Sequence, residues 1–587
     1  MSIVSRRNSM SSAAKKIAMS AQKDGLMRSM ADVLEELGVP RHHILAAADR
    51  ARSTSEPITS ILLDYGFLSP EKTALAIANM HGYPYFSRED ADAIDGSALA
   101  GLGIDMPHFS GYVPVAVEKD IIVVAVSNPA RSTQASNELR GRRLRFVVAS
   151  RQTIERVYRR WYANTGRQID EAMEQCRRIA RERAAADEDH PEAIRNLLGG
   201  IVRHACYNGA SDLYFHSTGR IGVVKMAVDG ASRILRAIPQ EIYSRLLNRM
   251  IVDANVRMED LRQGLREAAL DFGGPARAGP LADLLERYRF RLELGEAKSG
   301  PTAVIRILDL HGETAELDAL GFEPGTLSKL RRYVKTGHGL VLITGPTGSG
   351  KTTTLYAMLK EIDPETSSIQ SIEFPVEYRH GLWMQYEVPV IAEDEGAEMA
   401  KRLKGLLRNA PNVILIGEIR DEGVARIALD AAHTGHLVFS TLHTNDAPSA
   451  MLRLRRLGVG GEDMASALLG VLAQRLVRKL CTRCREPDIR SDTAKLLNAN
   501  GGMTVYRARD GGCPACGGTG YRGRRLIHEL LHVSPHVRGL IESGATVGEI
   551  GRNGLTEDGS MWNMGLRLVA AGETSIDEIM RVTRPED

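Results

Sequence analysis

Eight consecutive residues, Gly345-Pro346-Thr347-Gly348-Ser349-Gly350-Lys351-Thr352, fit the pattern G-x-x-x-x-G-K-[ST]. Glycines at this spacing let the backbone wrap closely around phosphates and aim N–H groups at them. Lys351 is placed to reach the β- and γ-phosphates of a nucleotide. The Thr352 hydroxyl, with Thr353 beside it, is placed to bind Mg²⁺. The flanks agree with this chemistry. VLIT before the loop reads as a buried strand, and TTTLYAML after it reads as a helix. The positive N-terminal end of that helix would face the same anion. No N-K-x-D or T-K-x-D guanine-specificity motif occurs, so ATP is the expected nucleotide.

A nucleotide hydrolase also needs a carboxylate near the γ-phosphate, to hold Mg²⁺ through water or to orient the attacking water. PNVILIGEIRD at 411–421 places Glu418 just beyond an apolar strand. In open α/β sheets ligands bind at the carboxyl ends of strands, which brings Glu418 toward Lys351. A second acidic strand end, SIQSIEFPVEY at 368–378, offers Glu373 and Glu377. A third, GHLVFSTLHTND at 435–446, carries His443 in a polar Ser-Thr-His-Thr-Asn setting.

A separate constellation lies near the C-terminus. Cys481-Thr-Arg-Cys484 and Cys513-Pro-Ala-Cys516 are two C-x-x-C pairs with 28 residues between them. Four thiolates suit a tetrahedral structural Zn²⁺ with no open position for catalysis. Gly517, Gly518 and Gly520 would ease a tight knuckle beside the second pair. Cys176 and Cys206 stand alone and read as ordinary buried or half-buried residues.

The elements that position these residues are legible in outline. From about 320 to 480, short apolar strands alternate with helices, as in a parallel sheet covered on both faces. Before it, IRNLLGGIVRHACYNGA reads as a helix closed by Gly209. SDLYFHS, GVVKMAVDG, YRFRLEL and TAVIRILDL read as strands, and GGPARAGP at 273–280 as a loop. Residues 24–85 read as helices on either side of Gly66, with Ser69 and Pro70 starting one of them. YVPVAVEKDIIVVAVSNP reads as a hairpin. The charged stretch 152–188 reads as a solvated or linker helix. The basic, Ser-rich start is expected to be a disordered tail.

The net charge of +3 over 587 residues argues against general nucleic-acid binding. No run approaches the length of a membrane-spanning helix. A cytosolic protein of several domains is expected.

The motifs together resemble the secretion ATPase superfamily, in particular the assembly ATPases of type II secretion and type IV pili. GPTGSGKTTTLY stands for Walker A, IEFPVEY for the Asp box, VILIGEIRD for Walker B and TGHLVFSTLHTNDA for the His box, all in family order. AQRLVRKLCTRC and CPACGGTGYRGRRLIHEL follow as they do in that branch, and the matching cysteine pairs support zinc. The resemblance covers about 195–580 well and 56–129 more loosely.

It implies an α/β, multidomain chain. The parts are a disordered tail (1–23), a helical and mixed N-terminal domain (24–162), a charged linker (163–190), a PAS-like α+β domain (191–312), a RecA-like P-loop core (313–480), a four-cysteine zinc subdomain (481–522) and a C-terminal helical domain (523–587). It also implies a homo-hexamer at the inner face of the inner membrane, acting on a platform protein and attached to the membrane through partners, with no direct nucleic-acid binding. Lys351, Glu418, Glu373, Glu377 and His443 would form the catalytic set, with Arg291 and Arg306 in the position of arginine fingers. The linkers near 163–190 and 311–322 would absorb hinge motion.

Three departures stand out. Phe374 takes the Asp position of the Asp box. EDLRQGLREAALDF replaces the family's basic run. Ile58 and Ser60 stand where some relatives place the Arg and Gly of a cyclic-dinucleotide site, so no such binding is expected. Two rivals remain open on the residues alone: a RecA-like nucleic-acid translocase, and a nucleotide-dependent scaffold that does not hydrolyse.

Overall fold

The computed structural model describes residues 30–94, 111–162, 165–182, 191–256, 266–270, 282–310, 316–388, 395–490, 504–513 and 516–584, with positions 99, 102, 104 and 106 between them. The expected tail at 1–23, the loop at 273–280, most of the 259–272 segment, and parts of both expected hinges lie outside these residues. The chain forms two compact units. One holds residues up to Gly209 together with Ser244–Arg249. The other includes Ala210–Tyr243 and the chain from Leu285 onward.

In the first unit, helices Ile58–Asp64 and Pro70–His81 flank Gly66 as the periodicity predicts. Ser69 caps the second by accepting the Lys72 N–H, and Pro70 takes the first turn, where its missing N–H does no harm. Strands β1 (Tyr112–Glu118) and β2 (Ile121–Val126) form the expected antiparallel hairpin, and β3 (Arg143–Val148) joins β2 in parallel. Helix Arg151–Trp161 buries Ile154, Val157 and Tyr158 in the core of this sheet. Helix Thr165–Glu182 buries Ile169 and Met173 and packs along helix Pro191–Tyr207. The charged run from 152 is therefore more than a solvated linker. Its apolar residues are few but fall on one stripe at helical spacing, which average composition hides.

Among the described residues the second unit contains a six-stranded sheet, a seven-stranded sheet and a two-stranded one. β4 (Ala210–Ser217), β5 (Ile221–Val228), β6 (Ala231–Pro239), β7 (Arg266–Ala269), β8 (Tyr288–Ala297) and β9 (Gly300–Asp309) pair antiparallel in the order β6-β5-β4-β9-β8-β7. Alternation divides β8 and β9 cleanly. Phe290, Leu292, Leu294, Ile305 and Ile307 are buried, while Arg289, Arg291 and Arg306 occupy the other face.

The core sheet uses β10 (Gly339–Thr344), β11 (Ile369–Glu373), β12 (Met384–Glu387), β13 (Val413–Ile416), β14 (Leu437–Leu442) and β15 (Leu468–Leu480). Two short strands follow, β16 (Glu486–Pro487) and β17 (Tyr506–Arg507), paired with each other. β18 (Tyr521–His532) returns to the core sheet, giving the order β12-β11-β13-β14-β10-β15-β18. All core pairings are parallel except β15 with β18. Both faces are covered, so the central strands read as continuous apolar runs. Leu340, Leu342, Ile414, Ile416 and Val438 pack on one side. Val341, Ile343, Val413, Leu415, Leu437 and Phe439 pack on the other.

β18 corrects the expectation of a purely helical C-terminal segment from 523. Leu526–Leu531 is buried throughout, and its apolar residues Leu526, Ile527, Leu530 and Leu531 recur at helical spacing around the buried His528 and Glu529, so the pattern reads as a helix. The helices expected there begin later, at Pro535–Glu542, and continue to Ile576–Val582.

Candidate functional site

Register brings the site together. Thr344 of β10 pairs with Leu442 of β14, Ile416 of β13 with Ser440 of β14, and Ile372 of β11 with Ile416. The four strands end along one edge. The loop from Gly345, the turn with Glu418, the His443 loop and the segment to Glu377 all leave from it, where ligands bind in open α/β sheets. The Thr344 hydroxyl ties two of these loops together. It donates to Leu442 O at 3.0 Å and accepts the Thr444 N–H at 2.8 Å.

Helix Lys351–Leu359 begins where the sequence places it, with Gly350 as its N-cap in the left-handed conformation. Lys351 Nζ donates to Gly345 O at 2.9 Å and Pro346 O at 3.1 Å. Burial lowers the Lys351 pKa, and the negative charges of Glu418 and Glu377 oppose that shift. Lys351, Glu418 and Glu377 thus form one electrostatic group. Burial raises the Glu377 pKa, and the neighbouring Thr352 hydroxyl and the Lys351 and Arg306 charges pull it down.

Glu418 stands at the end of β13, with one oxygen 2.9 Å from Arg420 Nε and the other 3.3 Å from His443 Nε2. Burial and the nearby Lys351 charge push the His443 pKa down, with Glu418 and a bond to the Gly345 backbone opposing them. A neutral imidazole is therefore favoured between the Glu418 carboxylate and the start of the loop.

Glu373 serves a different purpose from Glu377. Tyr356 OH donates to both of its oxygens at 2.9 and 2.8 Å, and Ser371 Oγ donates at 2.6 Å. Burial pushes this carboxyl up to about 7 despite those donors. Tyr356 lies on the helix that follows the loop, so Glu373 braces that helix. Arg291 stacks over the Phe374 ring at 4.8 Å, and Arg289 meets Glu387 at 2.7 Å. Arg306 Nε bonds Asp212 Oδ1 at 3.1 Å, and its charge also acts on Glu377.

The four cysteines of the two C-x-x-C pairs converge, with all sulfurs within 4.8 Å of one another. The Cys481–Cys513, Cys484–Cys516 and Cys513–Cys516 separations are each 3.8 Å. Four thiolates at ~2.3 Å from one tetrahedral ion stand ~3.8 Å apart, so the donor set fits zinc. The N–H groups of Cys513 and Gly520 point at Cys516 Sγ, at 3.1 and 3.2 Å. Gly517, Gly518 and Gly520 all have positive φ, as a tight knuckle requires.

Sequence reasoning missed two buried residues. Tyr356 reads only as part of an apolar helix face. Gln474, 1% exposed, donates from Nε2 to Ser349 O at 2.8 Å. An amide closing the apolar run LLGVLA of a strand was the available signal, because a buried amide must find partners.

Comparison with known proteins gives the family. The family described as Type II/IV secretion system protein matches residues 187–581, and the MshEN domain matches 81–168. The type IV pilus assembly ATPase PilB of Thermus thermophilus is 32% identical over 560 residues, covering 89% of this chain and 58% of that protein. This chain thus spans little more than half of that relative's length. The type II secretion system protein HxcR of Pseudomonas aeruginosa is 37% identical over 406 residues, covering 68% of this chain and 78% of that one. The type II secretion system ATPase E of Vibrio cholerae is 36% identical over 403 residues, covering 68% and 76%. The chain belongs to the type II/IV secretion-system family of ATPases. Among the described residues no helix is long and apolar enough to cross a membrane.

Proposed function

We propose that this chain hydrolyses Mg-ATP and uses the energy to drive assembly of pilins or pseudopilins in a type IV pilus, a conjugative pilus or a type II secretion system. The observation that carries this reading is the convergence of Lys351, Thr352, Glu377, Glu418 and His443 on one strand edge.

Backbone N–H groups between Gly345 and Thr353 cradle the phosphates, Pro346 contributing none. Lys351 exchanges its bonds to Gly345 O and Pro346 O for oxygens of the β- and γ-phosphates. Thr352 and Glu377 hold the Mg²⁺ that arrives with the nucleotide, and that ion supplies charge neutralisation when bound. Glu418 orients the attacking water and accepts its proton as the bond between the γ-phosphorus and the β-bridging oxygen breaks. His443 fixes the orientation of Glu418. Arg291 and Arg306 add positive charge from the preceding sheet. Glu373 supports the helix behind the loop.

Cys481, Cys484, Cys513 and Cys516 hold a structural Zn²⁺. We read the sheet of 191–312 as PAS-like and the core of 313–480 as RecA-like. The working form is a cytoplasmic homo-hexamer at the inner face of the inner membrane, docked on a platform protein and with no direct role for nucleic acid.

The test is ATP turnover by the purified chain and by Lys351→Ala, with and without DNA, alongside a mass measurement with nucleotide present. DNA-independent turnover that Lys351→Ala abolishes, in a six-subunit species, is expected. Turnover that survives Lys351→Ala sinks the proposal.

A further inference from the structure

Gly345 and Gly350 mark the two ends of the phosphate loop, and both lie against one residue of the neighbouring strand. In the β10–β15 ladder, Thr344 pairs with Ala473, so Gln474 is the next residue along β15 as the chain leaves β10. A methyl group on Gly345 would stand 2.4 Å from Gln474 O, closer than any side chain tolerates. A methyl group on Gly350 would stand 3.3 Å from Gln474 Nε2. Gln474 thus touches the first glycine with its backbone and the last with its side chain. The side-chain contact is directional, because Nε2 donates to Ser349 O at 2.8 Å within a buried setting.

That bond fixes more than a carbonyl. In a planar trans peptide the C=O and the following N–H point in opposite directions. Holding the Ser349 carbonyl toward β15 turns the Gly350 N–H away from β15. Gly350 immediately precedes Lys351, so this N–H sits at the end of the helix whose dipole favours an anion.

We propose that Gln474 is a positioning residue of the nucleotide site, whose side-chain amide sets the direction of the Gly350 N–H and thereby pre-forms the anion cradle. This rests on the reading of 345–352 as a nucleotide loop, but not on hydrolysis. Gln474 touches no reacting atom. Its effect passes through one peptide plane, and losing it leaves a buried carbonyl without its donor and a peptide free to rotate.

The test measures Mg-ADP affinity by calorimetry on the full chain, for wild type, Gln474→Met and Gln474→Glu, with melting temperature and assembly mass recorded for each. Methionine keeps the volume and removes the donor. Glutamate keeps the shape and sets a carboxylate oxygen against the Ser349 carbonyl. Affinity per folded molecule is expected to weaken by about tenfold in Gln474→Met, the equivalent of one well-placed hydrogen bond, and by at least as much in Gln474→Glu, with assembly mass unchanged and some fall in melting temperature from the orphaned Ser349 carbonyl. Wild-type affinity in either folded variant overturns the proposal. So does a fall in melting temperature with affinity per folded molecule unchanged, which is what a purely structural residue would give. A wild type that binds Mg-ADP but shows no ATP turnover removes the hydrolysis reading alone, and the affinity ratio still decides the role of Gln474. A wild type that does not bind Mg-ADP overturns both.

Discussion

Between Gly345 and Thr352 the chain shapes its loop with its own hydrogen bonds: Lys351 to Gly345 O and Pro346 O, Gln474 to Ser349 O, and Thr344 to the neighbouring loop. At Cys481, Cys484, Cys513 and Cys516 the arrangement is reversed. Four sulfurs stand close together, with short links between neighbouring turns and two N–H groups aimed at one of them. The loop is framed by a buried sheet and should keep its shape whatever occupies it. The cysteine cluster hangs from the outer end of the β15–β18 ladder, where Leu480 pairs with Tyr521, and beyond it only β16 and β17 pair among the described residues, so an ion held there is expected to be part of the fold of the subdomain. The expectation is a nucleotide bound on a finished scaffold at one site and a fold completed by an ion at the other.

The largest expected effect separates the two sites. Stripping zinc with a chelator, or Cys513→Ser, should unfold the cysteine subdomain. Structural zinc in small domains contributes about 10 kcal/mol or more of folding free energy. Proteolysis between 481 and 522 should become rapid, while Mg-ADP affinity stays within about threefold of wild type, a change of under ~1 kcal/mol. Loss of nucleotide affinity in step with zinc would break the contrast. Metal analysis should give one zinc per chain.

Next in size is Glu377→Gln. The variant keeps the shape of the side chain beside Thr352 but removes the charge proposed to help hold Mg²⁺. The Mg²⁺ concentration for half-maximal turnover should rise about tenfold, the size of one charge-assisted contact. An unchanged Mg²⁺ dependence would move Glu377 out of the metal's reach.

A third prediction concerns Glu373, whose buried carboxyl is pushed from 4.5 up to about 7. Below pH 4.5 it is neutral in both folded and unfolded chains, and its burial adds no pH dependence. As pH rises toward 7 the unfolded chain releases the proton while the folded chain holds it, so wild type loses stability. Above 7 the loss is complete, on the order of 3 kcal/mol. Glu373→Gln carries no such proton. Its melting temperature relative to wild type should therefore rise between pH 5 and 8, and a flat difference would contradict the neutral-acid reading.

The smallest effect on stability is Arg291→Ala, which removes the stack on Phe374 and should cost about 0.5–1 kcal/mol in denaturant unfolding. If Arg291 also supplies charge to the nucleotide, turnover falls by far more than that figure implies. Equal, small losses in both would leave it a packing residue.

The sequence makes the chemistry-bearing segments legible because each carries a local signature. Gly345–Thr352 has its strand and helix flanks, Tyr112–Val126 its alternation, and the cysteines their spacing. What it conceals depends on which strands lie side by side. Glu373 and Glu377 look equivalent four residues apart, yet one strand-end segment delivers the first to Tyr356 and the second to Thr352. The stack of Arg291 on Phe374 joins two sheets that no local pattern connects. β18 misleads because Leu526, Ile527, Leu530 and Leu531 recur at helical spacing, and the bond from Gln474 to Ser349 O appears only once β15 is seen beside β10.

The central claim is that Glu418 performs the chemical step on a nucleotide bound by a loop built without it. The direct measurement is ATP affinity and single-turnover hydrolysis in Glu418→Gln beside wild type. The expected result is affinity within about threefold and a hydrolysis rate reduced by about 10²–10⁴, the range for removing a general base. Hydrolysis within tenfold of wild type, a rate difference of under ~1.4 kcal/mol, would contradict it.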